Sequence, residues 1–290
     1  MKPISIAFLS ITVFWSFTEK SATTESQFQP QQEQQPQLQR VEISKLPAVI
    51  RSEAPLEYLT GDQYPTSELV KPEKLITDIH THQIWDELLK EHVSDNGKVD
   101  YAGLNKSRLE AYLKELEQNP VEDSWSRSQK LSYWINAYNA FTVKLILDNY
   151  PVKSIRDIDR PWGKKFIKLG DENYSLNQIE HDIVRPIFNE PRIHFALVCA
   201  AISCPKLLNQ AYLPKTLNEQ LDQQSRYFIN ESGKNQLNSD HIKISKLFKW
   251  YEKDFTNQGN LIDFLNQYSN QRISQKAKVE FLDYDWSLNG

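Results

Sequence analysis

The sequence predicts an α+β fold, a mainly helical single domain with small antiparallel β-hairpins. Apolar residues recur at spacings of three and four through most of the chain after residue 80, which is the period of amphipathic helices. The 290 residues include only 8 Gly, which disfavours a loop-rich or all-β fold, and two short extended stretches flank turn-forming residues. With 13 Tyr, 13 Phe and 7 Trp, the chain can fill a sizeable core.

The N-terminal residues predict a signal peptide over residues 1–22. Lys2 supplies a positive start, and residues 4–17 form an apolar run that is short for a membrane-spanning helix. A loose cleavage site follows at Ser21–Thr23, and no cysteine that could carry a lipid lies nearby. We therefore expect export to the periplasm or the exterior, with no stable membrane span after cleavage. The alternatives are an uncleaved anchor or the start of a buried helix.

Residues 23–75 are predicted to be a disordered tether and linker. The Gln/Pro-rich tract 27–40 has too few apolar side chains to offset the entropy of ordering, and residues 41–75 remain dotted with proline. We place the globular domain at residues 76–290 and find no internal repeat.

The first half of this domain is predicted to be helical, followed by a hairpin. Helical stripes span residues 82–93, residues around 109–116 and residues 128–149, where Pro151 stops the longest helix. Residues 165–175 form a predicted hairpin turning at Gly170-Asp171. Ser175 and Gln178 then have the spacing of a capping box, which opens a helix through Arg185.

The second half alternates short elements of both kinds. An amphipathic helix is predicted over residues 217–229, and a second hairpin over 234–245. Residues 249–255 and 261–268 are predicted to be helical, and residues 279–282 form a late strand.

Charge and motifs exclude several classes of function. The net charge of −4 gives no reason to expect nucleic acid or an anionic membrane surface, since both partners attract clustered Lys and Arg. The sequence contains no Gly-rich phosphate loop, no zinc-protease His pair and no Gly-x-Ser-x-Gly elbow. We expect no cofactor, and the predicted partner is an unidentified envelope or extracellular ligand.

The two cysteines mark the segment with the most chemistry. Cys199 and Cys204 lie within residues 192–205, the most apolar stretch of the domain. His194 lies near its start, and His181 lies in the preceding helix. Three functional alternatives remain open beside the structural one, in which each residue serves only packing or hydrogen bonding.

The first alternative is a disulfide, which suits an exported protein with an even cysteine count. In one continuous helix the two Cα atoms would lie about 8 Å apart, beyond bridging reach. A bridge therefore requires the helix to end near Ala201, which Ser203-Cys204-Pro205 allows.

The second alternative is a catalytic thiol. Cys199 would be the nucleophile, and His194 or His181 would be the base that forms its thiolate. His194 and Cys199 would point apart on a strand or a helix, so a turn must intervene unless His181 is the partner. The residues that would orient the base are Glu180, Asn136 and Asn139.

The third alternative is a metal site. His181, His194, Cys199 and Cys204 form a zinc-like set of donors. However, four residues separate His194 from Cys199 and Cys199 from Cys204, the upper edge of the usual spacing. This alternative ranks last, and we expect no bound metal.

Several blocks of sequence resemble one known family. They are residues 132–140 (Ser-Tyr-Trp-Ile-Asn-Ala-Tyr-Asn-Ala), residues 179–185 with Ile-Glu-His and Arg, residues 191–205, residues 246–255 and residues 283–289. Together they resemble the family catalogued only as domain of unknown function 547 (DUF547). The resemblance runs from about Trp85 to Asn289. It implies no established activity, and this chain departs from it at Val198, where relatives often carry Asn.

Polar groups within apolar sequence need partners when they are buried, and a single convergent polar cluster would satisfy several of those in the matched blocks at once. Such a cluster is either a structural network or a site. The blocks contain Asn136, Asn139, Glu180, His181, Arg185, Arg192, His194, Cys199, Lys246, Tyr251 and Asp254.

Our functional hypothesis is a thiol-dependent enzyme of acyl transfer or hydrolysis. Cys199 would be the nucleophile, His181 or His194 the base, and Glu180 or Asn136 the group that orients it. The residues expected to bind substrate are Arg192, Asn139 and Arg185. The alternative is a non-catalytic binding module with a Cys199–Cys204 disulfide.

Overall fold

The computed structural model describes residues 80–290, so the predicted signal peptide, the whole predicted tether and residues 76–79 of the predicted domain lie outside the described residues. The central element is helix α3, Arg127–Asn149, which begins at a capping box formed by Ser126 and Gln129. Residues 131–147 of α3 are all buried except Lys144. A helix buried nearly all round lies inside a core rather than on a surface, and the other elements pack about it.

Two helices precede α3 and cover it. Helix α1, Gln83–His92, packs on α2, Lys106–Gln118, and α2 packs on α3. The Trp85 and Tyr112 rings stack with centroids 5.8 Å apart. These contacts bury the apolar stripes that the sequence predicted.

A hairpin and a π-helical segment follow α3. Strands β1, Ile167–Leu169, and β2, Glu172–Tyr174, pair antiparallel, as the sequence predicted. The turn between them places Gly170 at φ +61°, a conformation that glycine adopts without strain.

The predicted capping box of Ser175 and Gln178 is confirmed, because the Ser175 N–H donates to Gln178 Oε1 (3.1 Å) and the Gln178 N–H donates to Ser175 Oγ (3.2 Å). It opens a π-helical segment, Gln178–Val184, that continues into helix α4, Arg185–Phe188.

The remaining elements belong mainly to a second layer of packing. Helix α5 precedes strand β3, the short helices α6 and α7, helix α8 and strand β4. Their bounds are Leu217–Asn230, His241–Ser245, Leu247–Trp250, Glu252–Phe255, Leu261–Tyr268 and Lys278–Leu282.

Strands β3 and β4 pair in parallel, from His241↔Lys278 to Ser245↔Leu282. The predicted second hairpin is reduced to one antiparallel bridge, Gln236↔Lys243, because β3 takes its main partner from a strand far along the chain.

Two hydrophobic clusters make up the core. The first surrounds α1, α2 and α3, and the second is formed by side chains from α5, β3, α6, α7 and α8. The stretch after α4 runs between them, since Ile193 belongs to the first cluster and Phe195 to the second. The segment that sequence analysis singled out therefore lies at the junction of the two clusters.

The fold class predicted from the sequence, mainly helical α+β, is confirmed. In the described part of the chain, no helix is both long and apolar enough to cross a membrane.

The buried His82 predicts a pH-dependent loss of stability. Burial, with repulsion from His80, lowers the pKa of His82 to about 3, and His82 Nδ1 lies 2.8 Å from the Tyr112 hydroxyl. In the unfolded chain this histidine takes up a proton near pH 6.5, whereas in the folded protein it stays neutral. As the pH falls below 6.5, proton binding therefore stabilises the unfolded state relative to the folded state. Below pH 6.5 the free energy of unfolding should therefore drop by up to about 1.4 kcal/mol per pH unit from His82 alone.

Urea unfolding between pH 7.5 and 4.5 tests this, since most carboxylates stay ionised in that range. His82→Asn should unfold with a shallower pH slope than the wild type, while the slope from His194 remains in both. Parallel pH slopes for the two proteins would contradict the assignment.

Candidate active site

Two buried asparagines of α3 hold the loops that approach the cysteines. The Asn139 amide donates to the Ala196 carbonyl (2.9 Å), and its oxygen accepts the Val198 N–H (3.0 Å). Asn136 makes the same pair of bonds with one residue, Tyr212, at 2.8 and 3.0 Å. In each carboxamide, the NH₂ group and the oxygen are both hydrogen-bonded to the backbone of a loop. The two asparagines therefore fix the positions of these loops.

Residues 199–204, the cysteine loop, have an unusual backbone. Ala200 has φ +58°, a left-handed conformation that costs a residue with a Cβ roughly 1 kcal/mol. The loop is not a continuous helix, so the geometric objection to contact between Cys199 and Cys204 does not apply. A strained residue between two thiols is typical of functional loops.

The C-terminal segment, residues 283–289, holds the cysteine loop in this conformation. The N–H groups of Ile202 and Ser203 donate to the carbonyls of Ser287 (2.8 Å) and Asp285 (3.1 Å). The Asn289 N–H donates to the Ala200 carbonyl (3.1 Å). The strained residue is therefore fixed by contacts that are distant in sequence.

The two thiols lie next to each other and to a tyrosine. The Cys199 N–H donates to Cys204 Sγ at 2.9 Å, and Cys199 Sγ lies 3.3 Å from the Tyr284 hydroxyl. Both cysteines are free, and their sulfurs are close without being at disulfide distance. Cys199 is half-buried, whereas Cys204 is buried and its carbonyl accepts a hydrogen bond from Lys234 Nζ.

The surroundings shift the pKa values of the two thiols in opposite directions. The hydrogen bond with Cys204, together with burial, raises the pKa of Cys199 well above its ordinary value. Burial also acts to raise the pKa of Cys204, but hydrogen bonds from Cys199 and the Lys234 charge outweigh it and lower that pKa. Of the two thiols, Cys204 is therefore the one that loses its proton more readily.

An aromatic cluster borders the thiols. Tyr284 packs against Trp250 and Trp286, with ring centroids 4.7 and 4.6 Å apart, and Trp162 lies 5.8 Å from Trp286. All four rings are half-buried. Cys199 thus lies beside a partly exposed aromatic surface rather than in a fully closed core.

His194 is bound to a carboxylate, which sequence analysis did not propose for it. Its Nε2 donates to Asp254 Oδ2 at 2.7 Å, and its ring stacks on Tyr251 with centroids 3.8 Å apart. The Arg185 guanidinium donates two hydrogen bonds, of 2.7 and 2.9 Å, to the same carboxylate. Burial tends to raise the pKa of Asp254, but the hydrogen bonds from His194 and Arg185 hold it far below its ordinary value.

Because Asp254 is ionised and can only accept, the proton of neutral His194 is on Nε2 and the lone pair is on Nδ1. Burial lowers the pKa of His194, although the bond to Asp254 opposes this effect. His194 is thus a neutral, oriented imidazole at neutral pH.

Glu180 and His181, which the sequence also predicted for the site, bind other side chains. Tyr138 donates to Glu180 Oε2 (3.1 Å), and burial together with the charge of Glu180 raises the pKa of Tyr138 well above its ordinary value. His181 is exposed, and its Nδ1 accepts from Arg185 (2.8 Å).

Arg192 is engaged elsewhere. Its guanidinium binds Glu190 at 2.8 and 2.6 Å, Asp222 at 2.7 Å and Asn218 Oδ1 at 2.9 Å. The carboxylates of Glu190 and Asp222 therefore neutralise the charge of Arg192, which the sequence predicted to bind substrate.

The four donors considered for a metal do not form a common site. His194 binds Asp254, His181 binds Arg185, and the two cysteines face each other and Tyr284. Within residues 80–290, no group of three or more His, Cys, Asp or Glu side chains is arranged to hold a metal ion.

The comparison with known families agrees with the resemblance in the sequence. Residues 122–229, from the loop before α3 to the end of α5, match the family described as "Protein of unknown function, DUF547". The chain carries a DUF547 domain. No curated protein and no solved structure matches it. The match includes Asn136, Asn139, His194 and both cysteines of the DUF547 domain.

Three site residues lie outside the matched range and were missed as site residues. They are Asp254 and Tyr251, which contact His194, and Tyr284, which contacts Cys199. Tyr251 and Asp254 were noted as polar groups within apolar sequence, but only the fold shows which histidine they serve. Val198, the departure from the family pattern, is buried in the first hydrophobic cluster and offers its N–H to Asn139.

The Asn139 contacts predict a large stability effect. In Asn139→Ala, the Ala196 carbonyl and the Val198 N–H lose their partners inside the core, and each unpaired group costs roughly 1–3 kcal/mol. We expect Asn139→Ala to lower the free energy of unfolding by about 2–6 kcal/mol in urea denaturation.

Asn149→Ala is the matched control, because Asn149 is exposed on the same helix and donates only to the Leu145 carbonyl. It should change stability by less than about 0.5 kcal/mol. Equal effects of the two substitutions would refute the positioning role of Asn139.

Proposed function

We propose that this DUF547 domain is a thiol-dependent enzyme of acyl transfer or hydrolysis, with Cys199 as its nucleophile. The observation that carries the proposal is the position of Cys199, the more accessible of two adjacent thiols, between the Cys204 sulfur and the Tyr284 hydroxyl. This places a nucleophile, a proton acceptor and a hydrogen-bond donor around one point.

The buried thiol supplies the proton acceptor that the nucleophile needs. Cys199 holds its proton at neutral pH, and the lowered pKa of Cys204 makes its sulfur the nearest base. As Cys199 Sγ forms a bond to an acyl carbon, its proton passes to Cys204 Sγ. Cys204 is too buried to attack a substrate itself.

Tyr284 suits the stabilisation of the developing oxyanion. Burial and the neighbouring cysteines raise the pKa of Tyr284 well above its ordinary value, so the hydroxyl stays protonated and can donate. A single preorganised donor of this kind contributes about 100- to 1,000-fold in rate.

His194 is the histidine we propose as the base for the second half-reaction, in which water or another acceptor takes the acyl group. Among the described residues its contacts are with Asp254, Tyr251 and Phe255 and not with a cysteine, so this role requires the acceptor to lie between the imidazole and Cys199. Asp254 fixes its ring and leaves Nδ1 as the acceptor, whereas Nδ1 of His181 is engaged by Arg185. Asp254 therefore replaces Glu180 and Asn136 as the orienting group in our mechanism. Glu180, bonded to Tyr138, is assigned to the same polar cluster.

The aromatic cluster is the surface on which we place the acyl donor. Trp250, Tyr284 and Trp286 offer partly exposed faces next to Cys199, and such rings bind apolar or ring-shaped groups. Asn139 and Arg185 then act on substrate indirectly, by positioning the loop and the Asp254 carboxylate. Given the predicted signal peptide, we infer that the substrate is an envelope or extracellular one.

A second candidate function is a non-catalytic binding module shaped by a Cys199–Cys204 disulfide. The adjacency of the two sulfurs favours it, because only a small movement would join them.

Acylation of Cys199 tests the enzymatic proposal. Incubation with a chromogenic acetate ester should give an initial burst and one acetyl adduct, located on Cys199 by peptide mass spectrometry. Cys199→Ser should lose both. Tyr284→Phe keeps the ring but removes the donor, and should slow acylation by about 100-fold.

Tyr150→Phe is the matched control, because Tyr150 is exposed at the end of α3. It should acylate at the wild-type rate. An adduct found only on surface lysines, or a burst that persists in Cys199→Ser, would contradict the proposal.

The intact mass of exported protein separates the two candidates and tests export. After alkylation under denaturing, non-reducing conditions, two labels would indicate free thiols and support the enzyme. An unlabelled protein would indicate the disulfide-shaped module. The same spectrum reports whether residues 1–22 are absent, and a mass that includes them would contradict signal cleavage.

A further inference from the structure

The two thiols differ in access while they share one short loop. Cys199 is half-buried and Cys204 is only 4% exposed, and the Cys199 N–H donates to Cys204 Sγ (2.9 Å). An accessible thiol beside a buried one is the arrangement required for attack on a disulfide followed by internal release. Acyl transfer would need only one of them to bond with a substrate.

We propose that Cys199 and Cys204 form a redox-active dithiol that exchanges with disulfides, in which Cys199 attacks and Cys204 resolves. The substrate class is a disulfide on a small molecule or a peptide that can reach the aromatic cluster. This activity goes beyond acyl chemistry and does not depend on it.

The exchange balances in two steps. In the first, Cys199 passes its proton to Cys204, its Sγ bonds to one substrate sulfur, and the substrate S–S bond breaks to release a thiolate. That thiolate takes the proton back from Cys204. In the second, Cys204 Sγ attacks Cys199 Sγ, the intramolecular disulfide forms, and the second substrate thiolate leaves and is protonated by water. The substrate disulfide gains two electrons and the dithiol loses two.

The loop is built to keep the two sulfurs together in both redox states. The C-terminal segment fixes the backbone at Ala200, Ile202 and Ser203 through main-chain hydrogen bonds that do not involve sulfur. The formation of an S–S bond therefore breaks none of these main-chain hydrogen bonds.

The same contacts favour the reduced form. The Cys199 N–H donates to Cys204 Sγ, and Lys234 lies close enough for its charge to act on this sulfur. Both interactions stabilise a thiolate and weaken once Cys204 is in a disulfide. Stabilising the reduced form makes a disulfide more oxidising, so the oxidised protein should pass its disulfide on readily.

The aromatic cluster provides a built-in signal for the reaction. Cys199 Sγ contacts Tyr284, whose ring packs on Trp250 and Trp286. A disulfide formed beside these rings should quench their fluorescence. Trp85 and Trp125 are buried in the first hydrophobic cluster and provide an unchanging background.

The test is a titration of the full chain with oxidised and reduced glutathione, followed by tryptophan fluorescence and by acid-quenched mass spectrometry. The wild type should give one reversible two-electron transition and lose both alkylatable thiols. Trp125→Phe should keep both the transition by mass and the fluorescence change, because Trp125 lies in the first hydrophobic cluster and outside the aromatic cluster.

Single-cysteine variants identify the roles. Cys204→Ser should accumulate a stable glutathione adduct on Cys199, whereas Cys199→Ser should gain none because Cys204 is buried. In the wild type, brief alkylation of the reduced protein should label Cys199 before Cys204, which tests the order even if a variant fails to fold.

Free thiols after excess oxidised glutathione, or a glutathione adduct on Cys204 in the Cys199→Ser variant, would overturn the proposal. The acetyl assay keeps the two proposals apart. An acetylated Cys199 without glutathione exchange removes only the redox activity, and exchange without acetylation removes only acyl transfer.

Discussion

The structure depends on backbone hydrogen bonds that must be made inside its core. Loops that pass between two hydrophobic clusters bring peptide groups into an apolar environment, where an unpaired group is costly. Asn136 and Asn139 of α3 solve this problem for two such loops, each with one donor and one acceptor. A buried helix with two carboxamides therefore determines the path that leads to Cys199, and the thiols, the aromatic cluster and the C-terminal segment are arranged around that path.

The ionisable groups of the site form two centres, one around the Asp254 carboxylate and one around the two thiols. At one, the Asp254 carboxylate is balanced by Arg185, so the adjoining His194 can remain neutral. At the other, the hydrogen bonds from Cys199 and the charge of Lys234 lower the pKa of Cys204 against the effect of burial. Burial and the charge of Glu180 raise the pKa of both Tyr138 and Tyr251, so both hydroxyls stay protonated beside this carboxylate. Buried charge of this kind is tolerated because each centre carries its own compensation.

The sequence predicted what depends on local pattern and missed what depends on distant pairing. Helix α8 was predicted at its observed bounds, and the Ser175–Gln178 capping box has the predicted contacts, because both depend on neighbouring residues. The parallel pairing of β3 with β4 was missed, since nothing near β3 indicates a partner 37 positions along, as in His241↔Lys278. The site follows the same division. His194 and both cysteines were found from composition, whereas Asp254 and Tyr284 reach them across 60 and 85 residues.

The hydrogen bonds of residues 283–289 also bear on the order of folding. They join Ile202 to Ser287 and Val99 to Asn289, so they close some of the largest chain loops in the domain. Contacts of such sequence separation form late, after the local helices and the hairpin. We therefore expect the left-handed turn at Ala200 to be acquired near the end of folding. Until then both thiols are outside their final surroundings and open to indiscriminate oxidation, so an oxidising compartment would select for rapid closure of this last segment.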